Sequence, residues 1–160
     1  MDLSDKLNWH DNCNKSYTDK DIIAIIEPYV ASGGKVYIGA DSMSHPKKCY
    51  FACVIALHDK NLKIADYFYK KFTSNDGKKY KNLKVKILEE TMLALQVAHH
   101  VLDRFPNADI EVHIDIGKGV KNKTSSLVNL IKGWVRGSGF CVRIKPNSWA
   151  SSSIADWHTK

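Results

Sequence analysis

The sequence predicts an α/β fold in which a mixed five-stranded sheet is covered by helices. Two observations carry this. Three strand-like runs joined by polar turns come first, which is an antiparallel pattern, and helices and strands then alternate, which is the pattern of parallel β-α-β units. The length agrees: 160 residues, 44% hydrophobic and 26% charged, suit one domain with a core of its own.

The elements follow in order. Residues 1–17 read as an irregular polar arm. Thr18 opens a helix with Asp19 and Asp21 in its first turn, Ile22, Ile23, Ile25 and Ile26 as its apolar side and Pro28 near its end; Ser32-Gly33-Gly34 breaks the chain. Residues 36–40 form a first strand ending at Asp41-Ser42, residues 50–57 a second, and, after the turn at residues 58–61, residues 62–72 a third. A Lys-rich loop leads to the longest periodic helix, residues 83–105. Residues 109–116 make a fourth strand, with Ile110, Val112 and Ile114 on one face. A helix over 124–135 is closed by Gly137 and Gly139, a fifth strand covers 140–144 and stops at Pro146, and residues 149–159 read as a short terminal helix.

Charge narrows the function. Lys and Arg total 24 against 17 Asp and Glu, a net charge of +7 that favours a polyanionic partner, nucleic acid first. The cations are 21 Lys and 3 Arg, which suits tracking of phosphate backbones better than reading of base edges. Seven Lys fall between Lys70 and Lys86, and Lys118, Lys121 and Lys123 form a second clump beside Gly117 and Gly119; each clump also suits a solvated surface. The first twenty residues carry no apolar signal-peptide core, and no apolar run approaches the ~20 residues of a membrane span, so a cytoplasmic protein with no membrane partner is expected. The four Cys then read as reduced thiols, and no Cys/His spacing supports zinc.

The chemistry is expected of acids that sit where a fold has no need of them. Asp41 follows apolar Val36, Ile38 and Ala40; Asp115 follows Ile114; Asp156 lies between Ala155 and Trp157. In the long helix, Leu83, Ile87, Ala94, Val97 and Val101 form a stripe that Glu90 completes, whereas Glu89 points about 100° away. Adjacent strands would hold Asp41 and Asp115 about 5 Å apart, with Glu90 and Asp156 approaching from covering helices. Four such carboxylates cannot all ionise unaided. One or two Mg²⁺ or Mn²⁺ ions would resolve the repulsion and suit phosphodiester hydrolysis. Taken singly, Asp41 and Asp115 also suit Asx turns, and Asp156 a local pairing.

In element order and in these acids the chain resembles the ribonuclease H-like superfamily. The resemblance implies acids on the first strand, first long helix, fourth strand and last helix, and Asp41, Glu90, Asp115 and Asp156 stand in that order. More closely it resembles the uncharacterised YkuK-like family over roughly residues 20–160, through Tyr37-Ile38-Gly39-Ala40-Asp41-Ser42, Asp115 with its Gly/Lys loop and Thr124-Ser125-Ser126, Gly133-Trp134 through Gly139-Phe140, and Lys145-Pro146-Asn147-Ser148-Trp149-Ala150-Ser151 with Ala155-Asp156. Ser42-Met43-Ser44 stands where the hydrolases commonly carry Gly-Ser after the first acid.

The expectation is a metal-dependent nuclease acting on an RNA/DNA hybrid or structured nucleic acid without strong sequence preference. Asp41, Glu90, Asp115 and Asp156 would hold the metal, while Ser42, Lys118, Lys121, Lys123, Lys145 and His158 would meet substrate. The alternative is a catalytically inactive nucleic-acid-binding module on the same fold. His158 also suits a surface position, and Tyr67, Tyr69, Trp134 and Trp149 are expected in packing rather than on bases.

Overall fold

The computed structural model describes residues 9–61, 64–117 and 125–160. Seven strands form one sheet in the order β2-β1-β5-β4-β3-β6-β7. The five expected strands are β3 (Lys35–Ser44), β4 (Cys49–His58), β5 (Ile64–Ser74), β6 (Asp109–Ile114) and β7 (Cys141–Ile144). β3, β4 and β5 pair antiparallel, and β6 and β7 add in parallel.

The two extra strands correct the reading of residues 1–17 as irregular and of the sheet as five-stranded. β1 (Trp9–His10) and β2 (Ser16–Tyr17) pair with each other, and His10 pairs with Tyr69 of β5. Two-residue strands are too short to show alternation, but one side chain organises the loop between them. The Asp11 carboxylate accepts the backbone N–H groups of Cys13 and Lys15 and the Tyr17 hydroxyl, while Asn14 takes a left-handed φ of 61°. The Trp9 indole donates to Asp19 at 2.6 Å, tying the hairpin to α1 (Asp19–Ala31). That helix starts with a reciprocal cap, in which the Asp21 amide donates to the Thr18 hydroxyl and the Thr18 amide to the Asp21 carboxylate.

Alternation along β3 assigns its two faces. Val36, Ile38 and Ala40 pack with Ile87, Ala94, Val97 and Val101 of α2 (Leu83–Arg104) in the main core. Tyr37, Gly39 and Asp41 face the opposite way, against the C-terminal segment. Only Leu83 leaves the expected α2 stripe: it is 55% exposed. On the far side of β6, α3 (Ser125–Gly137) packs Leu127, Val128, Ile131 and Val135 into the same core. Its Trp134 is 38% exposed, against the expectation of a core residue.

The terminal helix is not uniform. Residues Ala150–Ala155 form a wide turn in which the Asp156 amide reaches back five residues to the Ser151 carbonyl, and a single α-turn, α4 (Asp156–Thr159), follows. This segment lies directly on β3. A Cβ placed on Gly39 would sit 2.6 Å from both the Ala150 carbonyl carbon and the Ser151 nitrogen, so only glycine allows the approach.

A hydrogen-bonded chain holds the segment there. The Ala150 amide donates to His113 Nδ1 at 3.1 Å, which leaves Nε2 as the protonated ring nitrogen, and Nε2 lies 2.9 Å from Glu111 Oε1. Glu111 also meets Lys35 at 2.9 Å and Arg143 at 3.2 Å; burial would raise its carboxyl, but Lys35 and His113 hold it below the usual range. Burial lowers the His113 pKa, in keeping with a neutral ring.

Gly39→Ala should therefore lower stability by about 1–3 kcal/mol in chemical denaturation and should expose the 150–159 segment to limited proteolysis. An unchanged midpoint and cleavage pattern would refute the close contact.

Candidate active site

The sheet pairing creates the site. The parallel ladder between β3 and β6 ends at Ala40 opposite Ile114, while β3 continues beside β4 as far as Ser44 opposite Cys49. Asp41 is therefore inside β3 rather than at its end, a correction to the expected boundary. It sits where its neighbour strand runs out, and Asp115 is the first residue past that neighbour. The two are successive to paired residues on adjacent strands, as expected, and project from the face that carries the C-terminal segment.

Glu90 arrives over the other face. It is 3% exposed, while Glu89 lies at the margin, 3.9 Å from Lys79. Ser42, one residue beyond Asp41 and so on the α2 side, donates its hydroxyl to Glu90 at 2.5 Å. Lys86, one turn before Glu90, donates to the Ser42 carbonyl at 3.1 Å. Asp41, Glu90 and Asp115 thus line one cleft of about 250 Å³, together with Lys86, Lys145 and Leu83 at its edge.

Each carboxylate has a separate anchor. Thr159 of α4 donates to Asp41 Oδ2 at 3.1 Å, sharing its proton with the Asp156 carbonyl at 3.0 Å. Lys145 lies 3.0 Å from Asp115 Oδ1, and Lys160 lies 2.7 Å from Asp156 Oδ2. Asp156 is outside the lining of the cleft, on the side of Asp41, where its charge is still felt.

The electrostatics follow from burial. Loss of hydration pushes the Asp41 pKa up to about 6, with Asp156 and Asp115 adding repulsion and Thr159 opposing it. Glu90 is pushed up to about 8, again chiefly by burial and then by Asp41 and Asp115, against the Ser42 hydrogen bond and Lys86. At neutral pH the Glu90 carboxyl is mostly protonated. These are the conditions a hard divalent cation relieves: carboxylate oxygens gathered in one cleft, where burial and mutual repulsion disfavour their charged forms. The donor chemistry fits Mg²⁺ or Mn²⁺, although among the described residues no three His, Cys, Asp or Glu side chains already stand together as a metal-sized cage.

The other expected substrate residues divide. Ser42 is 6% exposed and its hydroxyl is committed to Glu90, so it positions an acid rather than meeting substrate. Lys145 borders the cleft with its side chain 52% exposed. Lys118, Lys121 and Lys123 lie outside the described residues. His158 is half-buried rather than a surface histidine: its ring stacks on Tyr69 at 3.5 Å and 13°, and burial together with Lys71 brings its pKa down to about 4. Tyr69 is itself buried, as expected of packing. Lys70, counted with the basic clump, is buried with its ammonium over the rings of Trp9 and Phe72, so it cannot serve as a phosphate contact.

Three site residues were missed. Lys86 carries a signal, since it stands four residues before Glu90 and so on the same helical face. Gly39 carries a weaker one, a glycine inside a strand. Thr159 carries none, because a hydroxyl three residues past an acid is unremarkable until the segment is seen to lie on β3.

The Ribonuclease H-like family matches residues 18–160. Among solved structures, the RNase H1 of the halophilic archaeon Halobacterium salinarum NRC-1 is similar at 14% identity, with 76% of this chain and 95% of that chain covered and a TM-score of 0.40. The LC11-RNase H1 isolated from compost is similar at 15% identity, covering 77% and 91%, with a TM-score of 0.39. No curated protein sequence matches the chain.

A raised carboxyl pKa ties folding to the proton. Glu90's contribution to stability is fully present below about 4.5 and is lost as pH rises through about 8. In metal-free buffer, Glu90→Gln should therefore be more stable than the parent at pH 8.5, by about 1 kcal/mol or more, with the difference shrinking toward pH 4.5. Urea titrations at the two pH values check this, and a difference independent of pH would refute the assignment.

Proposed function

The chain belongs to the Ribonuclease H-like family, and on that premise we propose that it is a divalent-metal-dependent nuclease of the YkuK-like branch, acting on RNA/DNA hybrid or structured nucleic acid. The observation that carries the reading is the shared cleft of Asp41, Glu90 and Asp115, in which burial and mutual repulsion raise two of the three carboxyls. Functional sites are where such perturbed acids collect.

The cation would be held by Asp41, Glu90 and Asp115, with Asp156 beside Asp41. When bound it supplies Lewis acidity toward the oxygens of a phosphodiester and toward water. The remaining work belongs to the chain. Thr159 and Ser42 fix the orientations of Asp41 and Glu90, one from each face of the sheet. Glu90, mostly protonated at neutral pH, would have to give up its proton to hold the cation. Lys145 neutralises the incoming phosphate. Its side chain is half exposed, and an ion pair in that setting is worth about 0–1 kcal/mol, so exchanging Asp115 for a phosphate oxygen costs little. Lys86 adds positive charge to the cleft wall. Among the described residues no Arg fork that would read a base edge lines the cleft, in keeping with cleavage that ignores sequence.

The test is cleavage of labelled hybrid, duplex, single-stranded and branched substrates with Mg²⁺ or Mn²⁺. Asp41→Asn and Asp115→Asn should each lower the rate about 100-fold or more, roughly 2.7 kcal/mol in the barrier, with folding intact. Undiminished cleavage in both would sink the site, while salt-sensitive binding with no turnover in the parent would identify a binding module instead. Lys145→Ala should weaken substrate binding by about tenfold at low salt and reduce the salt dependence by about one charge, measured as the slope of log affinity against log salt concentration.

A further inference from the structure

A second groove, of about 370 Å³, opens on the other side of Thr159. Its walls come from the ends of β4 and β5 and from α4. Tyr50 is 37% exposed and meets His45 edge-on, and Lys71 is exposed at the rim, while the neighbouring Phe72 turns inward to pack with the core. His158 borders it with its ring fixed against Tyr69. Lys160 supplies a further cation. Among the described residues no Asp or Glu lines the groove.

Each feature selects the same occupant. The exposed Tyr50 ring offers stacking that tolerates any base. Lys71 complements a phosphate, and Lys160, paired with Asp156, adds positive charge at the edge. The volume lies near the lower end of the roughly 300–1,000 Å³ typical of small-ligand sites, enough for one nucleotide and not for a base pair. Thr159 borders the groove while its hydroxyl holds Asp41, so one residue separates the groove from the first acid.

We propose that this groove receives one unpaired nucleotide of the strand whose phosphodiester lies at Asp41, so that the preferred substrate carries a single-stranded segment beside the point of cleavage. The proposal rests on the nucleic-acid reading above. It is tested without turnover, by fluorescence anisotropy in EDTA, comparing a blunt RNA/DNA hybrid with hybrids of the same paired length that carry a three-nucleotide overhang at either end. The parent should bind one overhang form about fivefold or more tightly than the blunt form. Tyr50→Ala and Lys71→Ala should each reduce that ratio to within about twofold, and Tyr50→Phe, which keeps the ring, should retain it. A parent without overhang preference, or a preference that survives both alanine variants in folded protein, overturns the groove and leaves the carboxylate site standing. Failure of every hybrid to bind overturns the nucleic-acid reading itself.

Discussion

Backbone lies on backbone where residues 150–151 cross β3 at Gly39, and the rest of the site depends on that contact. Moving the segment outward by the width of one methyl group would carry Thr159 away from Asp41 and Asp156 away from both. Close approach is permitted by the missing side chain, and it is made specific by His113, whose acceptor nitrogen takes the Ala150 amide. Glu111 in turn fixes the ring, and Lys35 and Arg143 balance Glu111. A buried polar chain of this kind is tolerable only when each member is satisfied. Here it ties β3, β6, β7 and the C-terminal segment into one unit beside the acids.

The acids themselves are arranged by the period of a strand. Asp41 and Ser42 are neighbours in sequence and face opposite sides of the sheet. One is held from the C-terminal side and the other reaches Glu90 on α2. Because β6 stops pairing at Ile114, no strand among the described residues covers this end of β3 on that side, and groups from the two faces can open into one cleft. The fold thus brings carboxyls together that would otherwise be separated by the thickness of a sheet. The cost is visible in the raised pKa values of Asp41 and Glu90.

Much of this was legible in the sequence. Helical phase distinguished Glu90 from Glu89, because one residue in a helix turns the side chain by about 100° and the apolar stripe had a single gap to fill. Alternation located β3 to β6 and placed Asp41 beside Asp115. What escaped depended on contacts distant in sequence or on runs too short to have a period. The β1–β2 hairpin is set by one Asp11 carboxylate, and the wide turn at 150–155 by how the segment lies on β3. Lys70 misled because composition places a lysine outside, although alternation with buried Phe68 and half-buried Phe72 puts it on the inner face of β5. Leu83 misled in reverse, since the helical stripe outlasts the core and its first member stands at the mouth of the cleft.

The hydrogen bond from Thr159 to Asp41 closes a loop of 118 residues. Closing a loop of that length is entropically expensive and comes late relative to the local β3–β4–β5 meander. During synthesis the sheet that carries Asp41 can be in place while the residues that orient it have yet to leave the ribosome, a compartment crowded with structured RNA. A chain caught at that stage has its first acid but neither Thr159 nor Asp156. The topology therefore delays completion of the site until the domain itself is complete.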